Sequence, residues 1–263
     1  MFKRTRVSLV LFFVISSLIT ADLLAASASE YAVVINLAGR QRMLTQKMSK
    51  EMLLVAKGID AEANRKSLAK TSQLFDSTLK GLRDGSAELG LPPTESAVTR
   101  KQLAKVEKLW AEFHAVVKQV IDGGDVDIAK VADLNLPLLK NMNTAVRLYE
   151  KEAKKVTGKS AGIVINLAGK QRMLTQKMSK EILLVALGHD AENNRSNVRN
   201  TASLFDRTLK GLKDGDADLE LPKTENGAIR SQLDTVAALW QQFKPLVERA
   251  VSYTHLRAHE TAT

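Results

Sequence analysis

Two arginines recur at one position of a stretch that the chain contains twice. Arg42 lies in Ile35-Asn-Leu-Ala-Gly-Arg-Gln-Arg-Met-Leu-Thr-Gln-Lys-Met-Ser-Lys-Glu51, and Arg172 lies in Ile165-Asn-Leu-Ala-Gly-Lys-Gln-Arg-Met-Leu-Thr-Gln-Lys-Met-Ser-Lys-Glu181. A guanidinium presents a planar fork of N–H donors that suits an oxyanion. On a helix, Asn36, Gly39, Arg42, Met43, Gln46 and Lys50 share one side, opposite the apolar Leu37, Leu44, Met48 and Val55. An ordinary solvated face would be rich in Glu and Lys. This one offers a glycine, two amides, a methionine and an arginine, suited to close approach of a partner helix and capture of a polar group. Glycine inside a helix costs up to about 1 kcal/mol relative to alanine, so its presence in both copies calls for a packing reason. The candidate ligand-binding set is Asn36, Gly39, Arg42, Met43 and Gln46 with Asn166, Gly169, Arg172, Met173 and Gln176. The competing reading is a helix-packing signature in which the arginine pairs with a buried carboxylate.

Other chemistry is poorly supported. His114 stands opposite Lys244 in the other copy and His189 opposite Ile59, so neither histidine recurs. With zero cysteines there is no thiol nucleophile, thiolate metal site or disulfide. Neither G-x-S-x-G nor H-E-x-x-H nor a phosphate loop is present, which argues against an enzyme and implies no metal and no cofactor. Asp84 and Asp214 recur at helix ends, where capping explains them, and Trp110 and Trp240 read as core anchors.

The elements that must position the arginines follow from periodicity. The pattern predicts helices over about 31–56, 60–84 and 94–121, with Asp60 as an N-cap and Gly85 as a stop. Leu103, Val106, Trp110, Phe113, Val117 and Val120 form an apolar seam on the third. A fourth helix is expected with Asn135 as its cap and Pro137 in its first turn, running toward Lys155. Four amphipathic helices on short loops favour an antiparallel four-helix bundle. The register shift of 130 residues also pairs Phe75 with Phe205, Trp110 with Trp240 and Phe113 with Phe243, so a whole folding unit is duplicated. The expected fold is all-α: two tandem antiparallel four-helix-bundle repeats, the second lacking its fourth helix.

The expected division is 1–28 as a signal peptide, 29–158 as the first bundle and 159–251 as a truncated second bundle. Lys3, Arg4 and Arg6, the apolar run Val7–Ile19 and Ala26-Ser27-Ala28 have the three parts of a cleavable leader, an uncleaved anchor being the alternative. Residues 252–263 read as translated adaptor sequence, an artefactual tail, the alternative being a natural divergent tail. His255 and His259 within it are not taken as a metal pair. The formal net charge of +10 favours anionic partners, but the charges are spread among acids on helices, which excludes nucleic acid as a natural partner.

Asn36-Leu-Ala-Gly-Arg-Gln-Arg-Met43 and Asn166-Leu-Ala-Gly-Lys-Gln-Arg-Met173 resemble the N-x-A-G-x-x-R-M box of nitrate/nitrite sensor kinases of the NarX/NarQ type. They are more similar still to the N-terminal sensor domain of PilJ-type chemotaxis transducers, and the resemblance covers both repeats. It implies that the box lies on the first helix of a periplasmic bundle. Arg42 and Arg172 would match the anion-binding arginine at a two-fold interface, and Gly39 and Gly169 the glycine that lets the helices close together. Leu37 and Leu167 stand where the sensor kinases have lysine, a departure that PilJ-type domains share. The implied function is an exported sensory module for a small anion, signalling through a separate membrane receptor or kinase, as a homodimer or as an intrachain pseudo-dimer facing Arg42 against Arg172. The alternative is a structural adaptor that binds pilus or chemosensory machinery without a small ligand; a weaker third reading has the basic surface hold anionic membrane.

Overall fold

The computed structural model describes the backbone of residues 4–158 and 161–252 and the side chains of 28–158 and 162–252. Helix α1 (Arg4–Ala56) runs without a break from residue 4 into the first repeat, earlier than the predicted start at 31. The tail beyond Ser252 lies outside the described residues. No helix among the described residues is long and apolar enough to cross a membrane.

Helices α2 (Ala61–Asp84), α3 (Ala97–Ile121) and α4 (Ile128–Thr157) complete the first bundle. Their pairings fix the topology. Gln41 Nε2 donates to the Phe75 carbonyl while Lys47 reaches Thr71, so α2 runs against α1. Trp110 Nε1 donates to Asp76 and Arg65 Nε to the Val120 carbonyl, so α3 runs against α2. Arg42 meets Asn143 while Gln46 meets Asn135, which closes the ring with α4 antiparallel to α1. The core these helices share buries Leu68, Phe75, Leu103, Val106, Phe113, Leu138 and Met142 completely, with Phe75 against Trp110 at a ring separation of 4.4 Å.

Two local expectations are corrected. Asp60 precedes α2 but sits in the left-handed region at φ 42° and makes no side-chain cap; Asn64 Nδ2 instead ties the turn through the Ile59 carbonyl at 2.9 Å. Asn135 does not cap the fourth helix either. Asp127 does, accepting from the Lys130 amide at 3.0 Å, and α4 continues through Pro137. A proline in a helix interior forfeits one hydrogen bond, and tertiary contacts on both sides of α4 offset that loss, because Asn135 itself is buried and bound to α1.

The second repeat contains α5 (Ala161–Ala186), α6 (Ala191–Asp214), a 3₁₀ turn at Ala217–Leu219 and α7 (Gly227–Ser252). It repeats the internal contacts of the first: Gln171 Nε2 donates to the Phe205 carbonyl, and Trp240 Nε1 to Asp206. Because α4 runs down the bundle and only a short connection follows, α5 comes back up, parallel to α1 and packed along it. Leu139 of α4 joins the second core, and Met43 of α1 touches both.

Candidate functional site

The site lies where α1, α4 and α5 meet. Arg42 is 1% exposed. Its Nη1 donates to Asn143 Oδ1 of α4 at 2.8 Å, and its Nη2 donates to Oδ1 of Asn166 on α5 and, at 3.4 Å, to the Asn166 carbonyl. Its Nε is buried without a partner among the described residues. Arg172 makes the reciprocal contact, Nη2 donating to Asn36 Oδ1 of α1 at 2.7 Å. Arginine of one repeat to asparagine of the other, in both directions, is an isologous arrangement of the kind a two-fold dimer makes. Here it is closed inside one chain.

Gly39 and Gly169 have a different role from the one expected. A Cβ added at Gly39 would meet only Arg42 Nη2, at 3.3 Å, and one at Gly169 only Arg172 Nη2, at 3.5 Å. No backbone of the neighbouring helix comes that near. At Gly39 the missing side chain gives Arg42 room to fold back along its own helix, whereas a Cβ at Gly169 would make only ordinary contact with Arg172.

The electrostatics are lopsided. Burial lowers the Arg42 pKa to about 10; Glu150 opposes this shift, while Arg147 and Arg172 add to it. Burial also lowers Lys170, and Arg42 and Arg147 repel it further. Arg40 is lowered by burial and by Arg172. Glu150 is pushed up by burial, against the pull of its bond from Asn166 and of Arg42, Arg147 and Lys170. Cations from three helices thus surround one carboxylate. Arg42 makes no ion pair among the described residues, so amide oxygens and not a carboxylate hold it, contrary to the packing reading.

The remaining candidates divide. Gln46 is fully buried, with Nε2 donating to Asn135 Oδ1 at 2.9 Å, and belongs to a second polar cluster one turn along. Asn135 Oδ1 also accepts from Lys180 Nζ of α5 at 3.0 Å. Burial lowers Lys180 to about 8. Gln176 is half-buried and its Oε1 has no partner among the described residues. Met43 and Met173 pack into the second core. Sequence reasoning missed Asn143, Arg147 and Glu150. Their spacing of i, i+4 and i+7 marks a polar stripe on α4 beside the apolar one, and that stripe was the available signal.

The geometry defines an all-helical module in which a polar site with one buried and one exposed guanidinium lies between two like halves. The family profile of the type IV pili methyl-accepting chemotaxis transducer N-terminal domain, PilJ, matches residues 23–133 and 157–259, and the chain belongs to that family. It is similar to the methyl-accepting chemotaxis protein McpN of Pseudomonas aeruginosa, with 31% identity over 123 residues, 46% of this chain and 23% of that protein. It is similar also to the putative methyl-accepting chemotaxis protein AlkN of Alcanivorax borkumensis, with 26% identity over 235 residues, 88% of this chain and 33% of that one. The matches therefore span a third or less of these relatives' lengths. Among solved structures, the ligand-binding domain of the P. aeruginosa nitrate receptor McpN matches with a TM-score of 0.41 and 30% identity, covering 46% of this chain and 96% of that one. These relatives are chemoreceptors rather than enzymes, and the homology supports a sensory ligand-binding module.

Proposed function

We propose that this protein is an exported, periplasmic sensory module that binds one small oxyanion of the nitrate or nitrite class between its two repeats and passes its state to a separate membrane partner. Arg42 and Arg172 are the anion-binding residues, Asn36 and Asn166 hold the guanidinium groups in place, and Gly39 gives Arg42 room, with Gly169 at the matching position. Residues 29–158 are the first bundle, residues 159–251 a second unit with no fourth helix among the described residues, and residues 1–28 the export signal of the protein.

One observation carries the reading. Arg42 is a buried guanidinium bound only by neutral oxygens, in a cluster with more cations than acids. A buried charge without a contacting counter-ion is costly, and an anion entering beside Nε would offset that cost. Nitrate is the first probe, since McpN, similar in sequence, is described as a nitrate receptor. Calorimetric titration with nitrate, nitrite, chloride and phosphate should give saturable heat for at least one planar oxyanion, and Arg42→Ala in a folded protein should remove it. Unchanged heat in that variant would take Arg42 out of the site.

A further inference from the structure

The anion site already holds an acid of its own, and that acid is placed to regulate it. Glu150 lies on α4, half-buried, and accepts from Asn166 Nδ2 at 2.7 Å. The same Asn166 side chain accepts from Arg42 Nη2 through its Oδ1. One amide thus stands between guanidinium and carboxylate, its oxygen to one and its nitrogen to the other. Glu150 makes no ion pair among the described residues, so the amide keeps the opposite charges out of contact. Its field still reaches Arg42, Arg147 and Lys170. Among the described residues it is the one carboxylate acting on Arg42 and on Lys170.

We infer that Glu150 is a built-in counter-ion that competes with the bound anion, so that binding at Arg42 is weakened while Glu150 is ionised and is coupled to uptake of a proton by its carboxylate. This rests on the anion-binding reading of Arg42 and adds its regulation. An anion lodged against Arg42 puts a second negative charge beside the Glu150 carboxylate, and like charges in a partly buried site repel strongly. The repulsion is relieved when the carboxylate takes a proton. Asn166 Nδ2 can still donate to the carbonyl oxygen of the neutral acid, so the amide keeps its orientation and Arg42 keeps its place. The groups facing Glu150 are cations: Arg42 from α1, Arg147 from its own helix and Lys170 from α5. Burial nevertheless raises the Glu150 pKa from its ordinary value, against the pull of Asn166 and of the three cations. The sign follows: affinity for the anion rises as pH falls, and one proton or a fraction of one is taken up per anion bound. Among the described residues the device sits on α4, beside Arg42.

The test is calorimetric titration of the full chain with nitrate from about pH 8 to about pH 5, in buffers of differing ionisation enthalpy, for the wild type, Glu150→Gln and Glu150→Asp. The wild type should bind about tenfold more tightly at the acid end, equivalent to roughly one unit of pKa shift between free and bound states. It should take up protons on binding. Glu150→Gln, isosteric and neutral, should bind at pH 8 with the wild type's low-pH affinity and a flat profile, whereas Glu150→Asp keeps the slope. Nitrate heat without proton uptake, or a Glu150→Gln variant with an unaltered slope, overturns the counter-ion role and leaves the anion site standing. If Glu150→Gln does not fold, the proton count of the wild type alone decides. Absence of nitrate heat at every pH overturns both.

Discussion

Arg42 and Arg172 occupy one position of a nearly identical sequence, yet one is buried and the other exposed. Their helices are built alike and each meets the other's asparagine. What differs is α4, which lies over Arg42 and has no counterpart over Arg172 among the described residues. The same contrast runs down the third helix of each repeat. Phe113 is 0% exposed where Phe243 is 38%, and Val116 is 3% where Leu246 is 49%. A repeated residue thus takes its environment from the element packed on it more than from its own sequence. Within the described residues, the unequal cover gives the two arginines different surroundings.

The core contrast should give the largest effect. Phe113→Ala removes a fully enclosed ring and is expected to cost about 3–5 kcal/mol, whereas Phe243→Ala, already partly in water, should cost about 1 kcal/mol or less. Equilibrium urea denaturation measures both, with Trp110 and Trp240 fluorescence reporting on each repeat. Equal losses would mean that α7 is covered in solution by something that the described residues do not include.

Ligand affinity should divide the arginines in the same direction. Arg42→Ala is expected to weaken nitrate binding about 100-fold, the scale of a lost charged hydrogen bond in a buried site, and Arg172→Ala only about tenfold. Titration calorimetry reads the ratio. Equal losses would show the two halves to be equivalent and α4 to be irrelevant to binding.

A smaller effect tests the second polar cluster through pH. Lys180, 8% exposed, has its pKa lowered to about 8 by burial, below the ordinary lysine value that it recovers on unfolding. Between those two values the unfolded chain binds more protons, so stability should rise with pH above about 8, by on the order of 1–2 kcal/mol. Lys180→Met should abolish the rise. Lys50, its half-buried counterpart, is lowered too, but Lys50→Met should leave most of the slope intact. The comparison is best kept below about pH 10, because burial raises Tyr149 to about 12 and its native proton then makes stability fall again. Urea midpoints at two pH values suffice, and a slope that survives Lys180→Met would assign it elsewhere.

The parts of this arrangement that were legible in the sequence are those carried twice. The helices, the stripe that places Asn36 and Arg42 on one face, and the matching set in the second repeat follow from periodicity alone, and the structure brings Arg42 to Asn166 and Arg172 to Asn36. Helix α4 occurs once among the described residues, so repetition could not mark Asn143, Arg147 and Glu150, and the polar stripe on α4 did not say that it faced the arginine. Asn135 looked like a cap because Asn and a following proline are good local start signals. Its burial against Thr45, Gln46 and Lys180 is tertiary and has no local signature. The role of Gly39 was misread for a related reason: a glycine in a helix announces that space is needed, not which side chain needs it.

The smallest expected effect is a control on the whole comparison. Asp60 and Asp190 open α2 and α6 at φ 42° and 43°, and in both turns an asparagine four residues on donates to two carbonyls. A left-handed residue other than glycine carries strain that glycine relieves, while glycine gives the unfolded chain more freedom to lose. The two effects nearly offset, so Asp60→Gly and Asp190→Gly should each shift stability by about 0.5 kcal/mol or less, and by the same amount. No hydrogen bond or ion pair among the described residues joins Asp60 or Asp190 to α4. Equal shifts here, beside unequal shifts at Phe113 and Phe243, would place the asymmetry in the cover that α4 provides. A clear difference between the two glycine variants would instead show that the repeats have diverged in their local turns, and the contrast between Arg42 and Arg172 could then no longer be credited to α4 alone.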